Sequence, residues 1–204
     1  VDLVIGYDEG VDREALKKAG VQLYSPASFC PKYDVKHATW DLIDTEVNNL
    51  ASIFGVKDQA ASVIEKRKKD VEALDAKGKA AGNTAIALYI TPGQSNYYAY
   101  GTSSMVQPIF EANGLTNIYA SNTSRVFDGS MEDLLARNPE WIVLLSSGAS
   151  DEETIQTFMS YNGAEQLKAV IDNHVVVVPF VLTDPPNVLS VEGAAMLAEK
   201  TASK

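Results

Sequence analysis

Short apolar runs alternate along the chain with longer segments in which apolar residues recur every three or four positions. Five of the short runs predict strands, because they are rich in β-branched residues and end at turn residues; they cover residues 1–5, 21–24, 84–90, 141–145 and 175–178. Helical periodicity separates most of them. Strands that alternate with helices predict an α/β chain with mainly parallel sheets.

Two of the helical segments follow each other directly. The first is predicted to begin at Thr39, has apolar side chains at positions 43, 47, 50 and 54, and ends at Gly55. The second, residues 57–79, has a narrow apolar stripe and many charged residues on its other faces. Such a helix is typical either of a rod between two domains or of a surface helix on one domain, and both interpretations stay open.

Shorter helices are predicted where capping residues precede periodic segments. They cover residues 12–19, a segment from Ser103 or Ser104 to Asn113, and residues 130–137, 152–160, 163–171 and 188–200. The stretches 91–102 and 121–129 are predicted to be loops.

Aromatic residues are frequent in the loops that follow the predicted strands. In open α/β sheets ligands bind outside the carboxyl ends of the strands. Flat rings suit a large, partly apolar ligand, and phenol hydroxyls orient it. The candidates for the wall of a binding cleft are Tyr7, Phe29, Trp40, Tyr97, Tyr98, Tyr100, Phe127 and Phe180.

Composition narrows the classes of function. The net charge is -10, which disfavours nucleic acid and anionic lipid as partners, since both need clustered cations. Cys30 is the single cysteine, so the chain forms no internal disulfide. No apolar run approaches the roughly 20 residues of a membrane-spanning helix. Because the sequence opens in the middle of a strand, we expect residues upstream of Val1.

No familiar catalytic motif stands in the sequence. A G-x-S-x-G elbow, a Walker loop, a G-x-G-x-x-G loop, an H-E-x-x-H pair and paired cysteines are all missing. Of the two histidines, His174 is interpreted as a turn residue, whereas His37 stands in an aromatic loop and is a candidate for a ligand contact. The pattern favours a binding protein without a cofactor over an enzyme.

Four passages resemble one family in the order in which that family has them. Residues 1–6 and 21–26 (VDLVIG and VQLYSP) flank a helix, as in the siderophore, haem and vitamin B12 class of periplasmic binding proteins. Residues 49–60 (NLASIFGVKDQA) look like the family's entry into its linking helix, and residues 111–118 (EANGLTNI) like a turn of its second lobe. Residues 130–143 (SMEDLLARNPEWIV) are similar to its signature before a buried strand.

The resemblance implies two Rossmann-like α/β lobes joined by one long helix, with ligand held between them. The first lobe would be incomplete and cover residues 1–56, the helix residues 57–81, and the second lobe residues 82–204. An incomplete lobe leaves an open sheet edge, so we also expect a dimer or a strand-swapped assembly.

The implied function is the substrate-binding component of an ABC importer, located outside the cytoplasm and held by an upstream lipid anchor. Its ligand would be an iron–siderophore, haem or a corrinoid. The resemblance places Glu132 where the family docks on its membrane permease. It also favours Arg125, which is able to grip anionic oxygens of a chelate. The predicted ligand site is therefore Tyr7, Phe29, Trp40, Tyr98, Tyr100, Arg125 and Phe180.

Two alternatives remain on sequence grounds. A zinc or manganese receptor of the related class would need three or four His, Asp or Glu ligands, and two histidines make that a poor match. An α/β enzyme using the same cleft would need a cofactor loop or an acid–base pair.

Overall fold

The computed structural model describes residues 1–6, 11–30, 34–75 and 83–202. The chain forms two compact units, Val1–Val35 and Lys36–Lys204, and each contains a β-sheet of its own. None of the helices in the described ranges is long and apolar enough to cross a lipid bilayer.

The first unit contains a strand–helix–strand element, as the sequence predicts. Its elements are β1 (Leu3–Ile5), α1 (Arg13–Lys18), β2 (Gln22–Tyr24) and a 3₁₀ turn (Ala27–Phe29). The two strands pair in parallel. Asp12 caps α1, because its Oδ1 accepts a hydrogen bond from the Ala15 backbone N at 2.9 Å.

Two consecutive helices open the second unit, α2 (Asp41–Phe54) and α3 (Lys57–Asp75). Gly55 ends α2 in the left-handed conformation, with φ 72°, as its position predicted. Asp44 of α2 binds Arg67 of α3 through two contacts, Nε to Oδ1 at 3.0 Å and Nη2 to Oδ2 at 2.5 Å. This bidentate pair fastens the two helices together. Residues 76–79 of the predicted helix lie outside the described residues.

The second unit is built on a six-stranded sheet. Its strands are β3 (Asn83–Ile90), β4 (Tyr98–Tyr100), β5 (Leu115–Asn117), β6 (Val126–Asp128), β7 (Trp141–Ser146) and β8 (Val175–Pro179). Their order is β6-β4-β3-β7-β8, with β5 beside the start of β3. The pairs β3–β5, β3–β7 and β7–β8 are parallel, whereas β4 runs antiparallel to both β3 and β6.

Helices cover both faces of this sheet. They are α4 (Val106–Ala112), α5 (Met131–Arg137), α6 (Asp151–Met159), α7 (Lys168–Ile171) and α8 (Ser190–Ala202). Alternate residues of the central strands belong to opposite core clusters. Ala87, Val143 and Val178 pack with α3, α4 and α8, and Leu88 and Leu144 pack with α5, α6 and α7. Strands buried on both faces explain the continuous apolar runs in the sequence.

Several predicted boundaries were wrong. The presumed loops 91–102 and 121–129 contain β4 and β6, and β5 was not predicted. Strands of three residues are too short for a periodic signal, and their pairing with neighbours decides their conformation. The helix after Gly101 begins at Val106 instead of near Ser103, and α2 begins at Asp41 with Trp40 as its N-cap. Residues 163–171 form a 3₁₀ turn and α7, separated by an extended Leu167 (ψ 135°).

The boundary between the compact units lies inside the predicted first lobe, residues 1–56. α2 and α3 consequently group with the second unit, where α3 packs on α2, α4 and α8. The role of residues 57–81 as the link between two lobes stays a prediction.

Candidate functional site

Aromatic side chains gather near the carboxyl end of β3. Tyr89, the second-last residue of β3, pairs with Tyr98 of the antiparallel β4, so the two side chains share one face of the sheet. Tyr100 lies two residues further along β4 and therefore on the same face. Tyr98 is 41% exposed, Tyr89 is half-buried and Tyr100 is buried, so the group runs from core to surface.

Phe180 extends this group from the neighbouring edge. It opens a 3₁₀ turn after β8, and its ring centroid lies 4.9 Å from that of Tyr89 in an edge-to-face arrangement and 6.5 Å from that of Tyr100. α8 packs against this turn. A Cβ on Gly193 would overlap the carbonyl oxygen of Leu182, so glycine is needed where α8 passes under the turn.

Trp40 packs against the same core cluster as Tyr89 and Phe180, and it is partly buried. The segment before it is tied to the residue after β4. Ala38 N donates to Thr102 O at 2.7 Å, and Thr102 Oγ1 donates to Lys36 O at 2.6 Å. We call Trp40, Tyr89, Tyr98, Tyr100 and Phe180 the aromatic wall.

Arg125 lies beside the aromatic wall and forms an ion pair with the protein itself. Its Nη1 donates to Oδ2 of Asp184, whose side chain is fully buried, while 22% of the Arg125 side chain is exposed. The other oxygen, Oδ1, accepts from Met105 N at 3.3 Å. Burial raises the pKa of the Asp184 carboxyl, and the attraction of Arg125 opposes that shift. The sequence did not point to Asp184, because nothing in it shows which acid reaches Arg125.

The other predicted aromatic residues have different positions. Tyr7 lies outside the described residues, and Phe29 ends the 3₁₀ turn of the first unit. Tyr97 and Phe127 pack in the cluster on the opposite face of the sheet. Sequence reasoning missed Tyr89, which it counted as strand interior. The position of Tyr89 next to the carboxyl end of a predicted strand was the sequence signal that could have identified it as a site residue.

The two histidines make separate contacts. His37 Nε2 lies 2.8 Å from Glu111 Oε1, and both side chains are about half exposed. His174 stacks on Trp141, with ring centroids 4.2 Å apart. Among the residues that the structure describes, no three His, Cys, Asp or Glu side chains group so as to hold a metal ion.

Glu132 lies in the first turn of α5 and is exposed. The next residue, Asp133, is held in place: it accepts from Tyr119 Oη at 2.5 Å and from Arg137 Nε at 2.9 Å. These hydrogen bonds lower the pKa of the Asp133 carboxyl, with the bond from Tyr119 as the largest cause. Burial and the bond to Asp133 raise the pKa of Tyr119. The hydrogen bonds of Asp133 therefore hold the first turn of α5, which contains the exposed Glu132, in place.

A separate groove of about 430 Å³ runs between α3 and the start of α8. Its lining includes Val63, Leu74, Val188 and Leu189. None of the predicted site residues in the described ranges lines this groove.

Comparison with known proteins shows which family and which folds this chain resembles. A family model described as periplasmic binding protein matches residues 4–182. The structure of an ABC-type Fe3+-hydroxamate transport system from Saccharomonospora viridis DSM 43017 is 32% identical with a TM-score of 0.88; the match covers 98% of this chain and 68% of that one. A search of curated proteins found no match.

More distant structures share the fold. The periplasmic heme binding protein HutB of Vibrio cholerae is 16% identical with a TM-score of 0.75, and the match covers 98% of this chain and 76% of that one. The periplasmic vitamin B12 binding protein BtuF of Vibrio cholerae is 18% identical with a TM-score of 0.69, and the match covers 100% of this chain and 75% of that one.

These matches confirm the resemblance that the four sequence passages predicted. Proteins of the matched family act outside the cytoplasm, and they bind solutes and are not enzymes. The chain therefore belongs to the periplasmic binding protein family.

Proposed function

We propose that this protein is the substrate-binding component of an ABC importer and that it captures an iron–siderophore, haem or a corrinoid on the aromatic wall. The observation that carries the proposal is the group of Tyr89, Tyr98, Tyr100 and Phe180 at one end of the sheet, with Trp40 packed against the core cluster that borders Tyr89 and Phe180. The 32% identical structure belongs to an Fe3+-hydroxamate transport system, which favours an iron–siderophore among the three.

The chemistry of the wall suits capture without reaction. Ring faces and edges give a large chelate apolar contact, and a phenol hydroxyl such as that of Tyr98, a residue that is 41% exposed, suits its orientation. Binding then favours the ligand-bound arrangement of the protein over others. In this proposal residues 57–81 link the first lobe, residues 1–56, to the second, residues 82–204.

Calorimetric titration with a ferric tris-hydroxamate, haem and cyanocobalamin tests the proposal. We expect one of them to bind, and we expect Phe180→Ala to weaken it by at least about tenfold, since buried aromatic contacts dominate such sites. Val181→Ala is the matched control, because Val181 lies in the same 3₁₀ turn but is 59% exposed. Failure of all three ligands to bind, chemical turnover of any, or equal effects of the two substitutions would contradict the proposal.

A zinc or manganese receptor is the less favoured hypothesis for the function of this chain. It requires converging metal ligands, and the described residues contain no group of three such side chains. Tight binding of aqueous Zn2+ or Mn2+ in the same calorimeter, with no chelate bound, would reverse this preference.

Glu132 is the proposed contact with the permease. Its exposure in the first turn of α5, next to the braced Asp133, suits an acidic contact with basic groups of a partner. Glu132→Lys should reduce chelate uptake by cells at least about tenfold and leave ligand affinity unchanged. Glu152→Lys, an exposed first-turn acid of α6, is the control and should leave uptake intact. Equal uptake by both variants would remove Glu132 from the interface.

The remaining parts of the proposal concern location and assembly. We place the site of action outside the cytoplasm, at the cell surface through a lipid anchor or in the periplasm. Pairing or strand swapping between two chains is a further expectation, which sedimentation equilibrium tests through the mass of the particle.

A further inference from the structure

The groove between α3 and the start of α8 has an aliphatic lining. Of the described residues that line it, none is aromatic, and its apolar members include Val63, Ala73, Leu74, Val188, Leu189 and Val191. Three large ones are exposed: Val63 by 41%, Val188 by 43% and Leu189 by 39%. Exposed apolar residues that share one groove are typical of a binding site. The volume of about 430 Å³ lies in the range of small-molecule pockets, roughly 300–1,000 Å³.

A buried guanidinium lines the same groove. The Arg67 side chain is 6% exposed, and its contacts in the described part of the chain are the two hydrogen bonds that it donates to Asp44, from Nε and from Nη2. A guanidinium has five N–H donors, so three remain, two of them on Nη1. A few fixed polar groups in an apolar lining orient a ligand. Arg67 is therefore placed to donate to an acceptor atom of a molecule in this groove.

The charges along the groove balance one another. Two cations, Lys66 and Arg67, and two carboxylates, Asp70 and Glu192, belong to the described lining. Lys66 Nζ donates to Asp70 Oδ2 at 2.5 Å. That hydrogen bond is the largest cause that raises the pKa of Lys66, and the charge of Glu192 adds to the shift. An ionic head group would lose hydration here and compete with existing pairs, so the lining favours an uncharged one.

We propose that this groove binds one neutral aliphatic amphiphile, an alkyl chain that ends in an uncharged hydrogen-bond acceptor such as a ketone, ester or alcohol. The alkyl chain lies against the aliphatic residues of α3 and α8, and Arg67 donates to the acceptor. This site is separate from the aromatic wall and does not depend on the proposed function.

Calorimetric titration with primary alcohols tests the proposal. From butanol through hexanol to octanol, affinity should rise about fourfold for each added methylene, because each buried methylene contributes about 0.8 kcal/mol. Octanoate and octyltrimethylammonium have the same chain with opposite charges, and each should bind at least about tenfold more weakly than octanol. No binding of octanol, affinity that does not change with chain length, or an ion that binds as tightly as octanol would overturn the proposal.

Two substitutions on α3 locate the site. Ala73 lines the groove and is exposed, so Ala73→Trp should fill the groove without disturbing the core and weaken octanol binding at least about tenfold. Ala61→Trp is the matched control, because Ala61 is also exposed on α3 but does not line the groove. Equal octanol affinities of the two folded variants would place the binding elsewhere and refute the site.

A ketone tests the part assigned to Arg67. Methyl hexyl ketone accepts a hydrogen bond but donates none, so it should bind as tightly as octanol if the protein supplies the donor. Binding at least about tenfold weaker than that of octanol would remove Arg67 from the site.

The alkyl chain could come from a free amphiphile or from a membrane lipid. Co-sedimentation of the protein with phosphatidylcholine vesicles, abolished by Ala73→Trp and retained by Ala61→Trp, would support the groove site with a lipid as its source. Octanol binding without co-sedimentation would support the same site with a free amphiphile as its source.

Discussion

The two compact units contain the same kind of element, parallel strands joined by a helix. They differ in how many of their side chains are buried. Among the residues of 1–35 whose burial the structure describes, none is buried, and both strands have three residues. In residues 36–204, β7 is buried along its whole length, and two core clusters occupy opposite faces of the sheet. The second unit therefore has its own hydrophobic core, and the described part of the first does not.

This difference separates secondary structure from stability. A parallel pair of three-residue strands satisfies its hydrogen bonds but gains little from burial, and two-stranded sheets are marginal in water. Each fully buried Leu or Val side chain contributes roughly 1.5–3 kcal/mol, and the second unit contains many of them. The proposed ligand site, the aromatic wall, lies on the core of the second unit.

The largest expected effect breaks the core of the second unit. Leu144→Ala, at a fully buried position of β7, should lower the free energy of unfolding by about 2–5 kcal/mol. Leu23→Ala makes the same deletion on half-buried β2 and should leave the second unit unchanged. Urea unfolding followed by fluorescence of Trp40 and Trp141 measures this, since both tryptophans lie in the second unit. Equal shifts of the urea midpoint in Leu144→Ala and Leu23→Ala would show that the two units do not differ in burial as described.

A smaller effect tests close packing in the same way. Gly193→Ala adds a methyl group that overlaps the Leu182 carbonyl, so it should destabilise the second unit by about 1–3 kcal/mol although alanine favours helices. The same change should weaken chelate binding, because Phe180 lies in the turn that would move. Gly6→Ala in the first unit meets open space and is the control. A stabilised Gly193→Ala protein would contradict the predicted contact.

The smallest effect concerns the hydrogen bonds that Asp133 of α5 accepts from Tyr119 and Arg137. Asp133→Asn should cost less than about 1 kcal/mol at pH 7, because the Asp133–Arg137 pair is largely exposed. The pKa of Asp133 is lowered in the folded protein, so its contribution is complete above the unfolded value near 4 and disappears as pH falls through the folded value. Thermal unfolding of both proteins from pH 7 to pH 2 should show a difference that vanishes in acid. A difference that persists there would mean that the charge of Asp133 is not what braces the helix.

The long elements of the fold were predictable from the sequence because buried positions along them are apolar, and this produces a recognisable pattern. β3, β7 and β8 are continuous apolar runs, and Gly55 marks the end of α2. β4, β5 and β6 were missed, since three residues have no period and depend on their neighbours.

The candidate site was predictable only by residue type. The aromatic loops pointed to Trp40, Tyr98, Tyr100 and Phe180, but no local signal separated them from Tyr97 and Phe127, whose face of the sheet depends on strand register. The partner of Arg125 lies 59 residues away in sequence, so only the tertiary structure brings Asp184 to it. Tyr89 was hidden inside a run that reads as core.

Hydrogen–deuterium exchange with and without a bound ferric tris-hydroxamate tests the central claim, that a preformed site on the second unit binds the chelate. Before ligand is added, amides of β1 and β2 should exchange much faster than those of β3 and β7, since local stability follows burial. Ligand should then slow exchange in residues 98–102 and 180–184. Equal protection of both units without ligand, or no slowing in these two segments when the chelate is bound, would contradict the account.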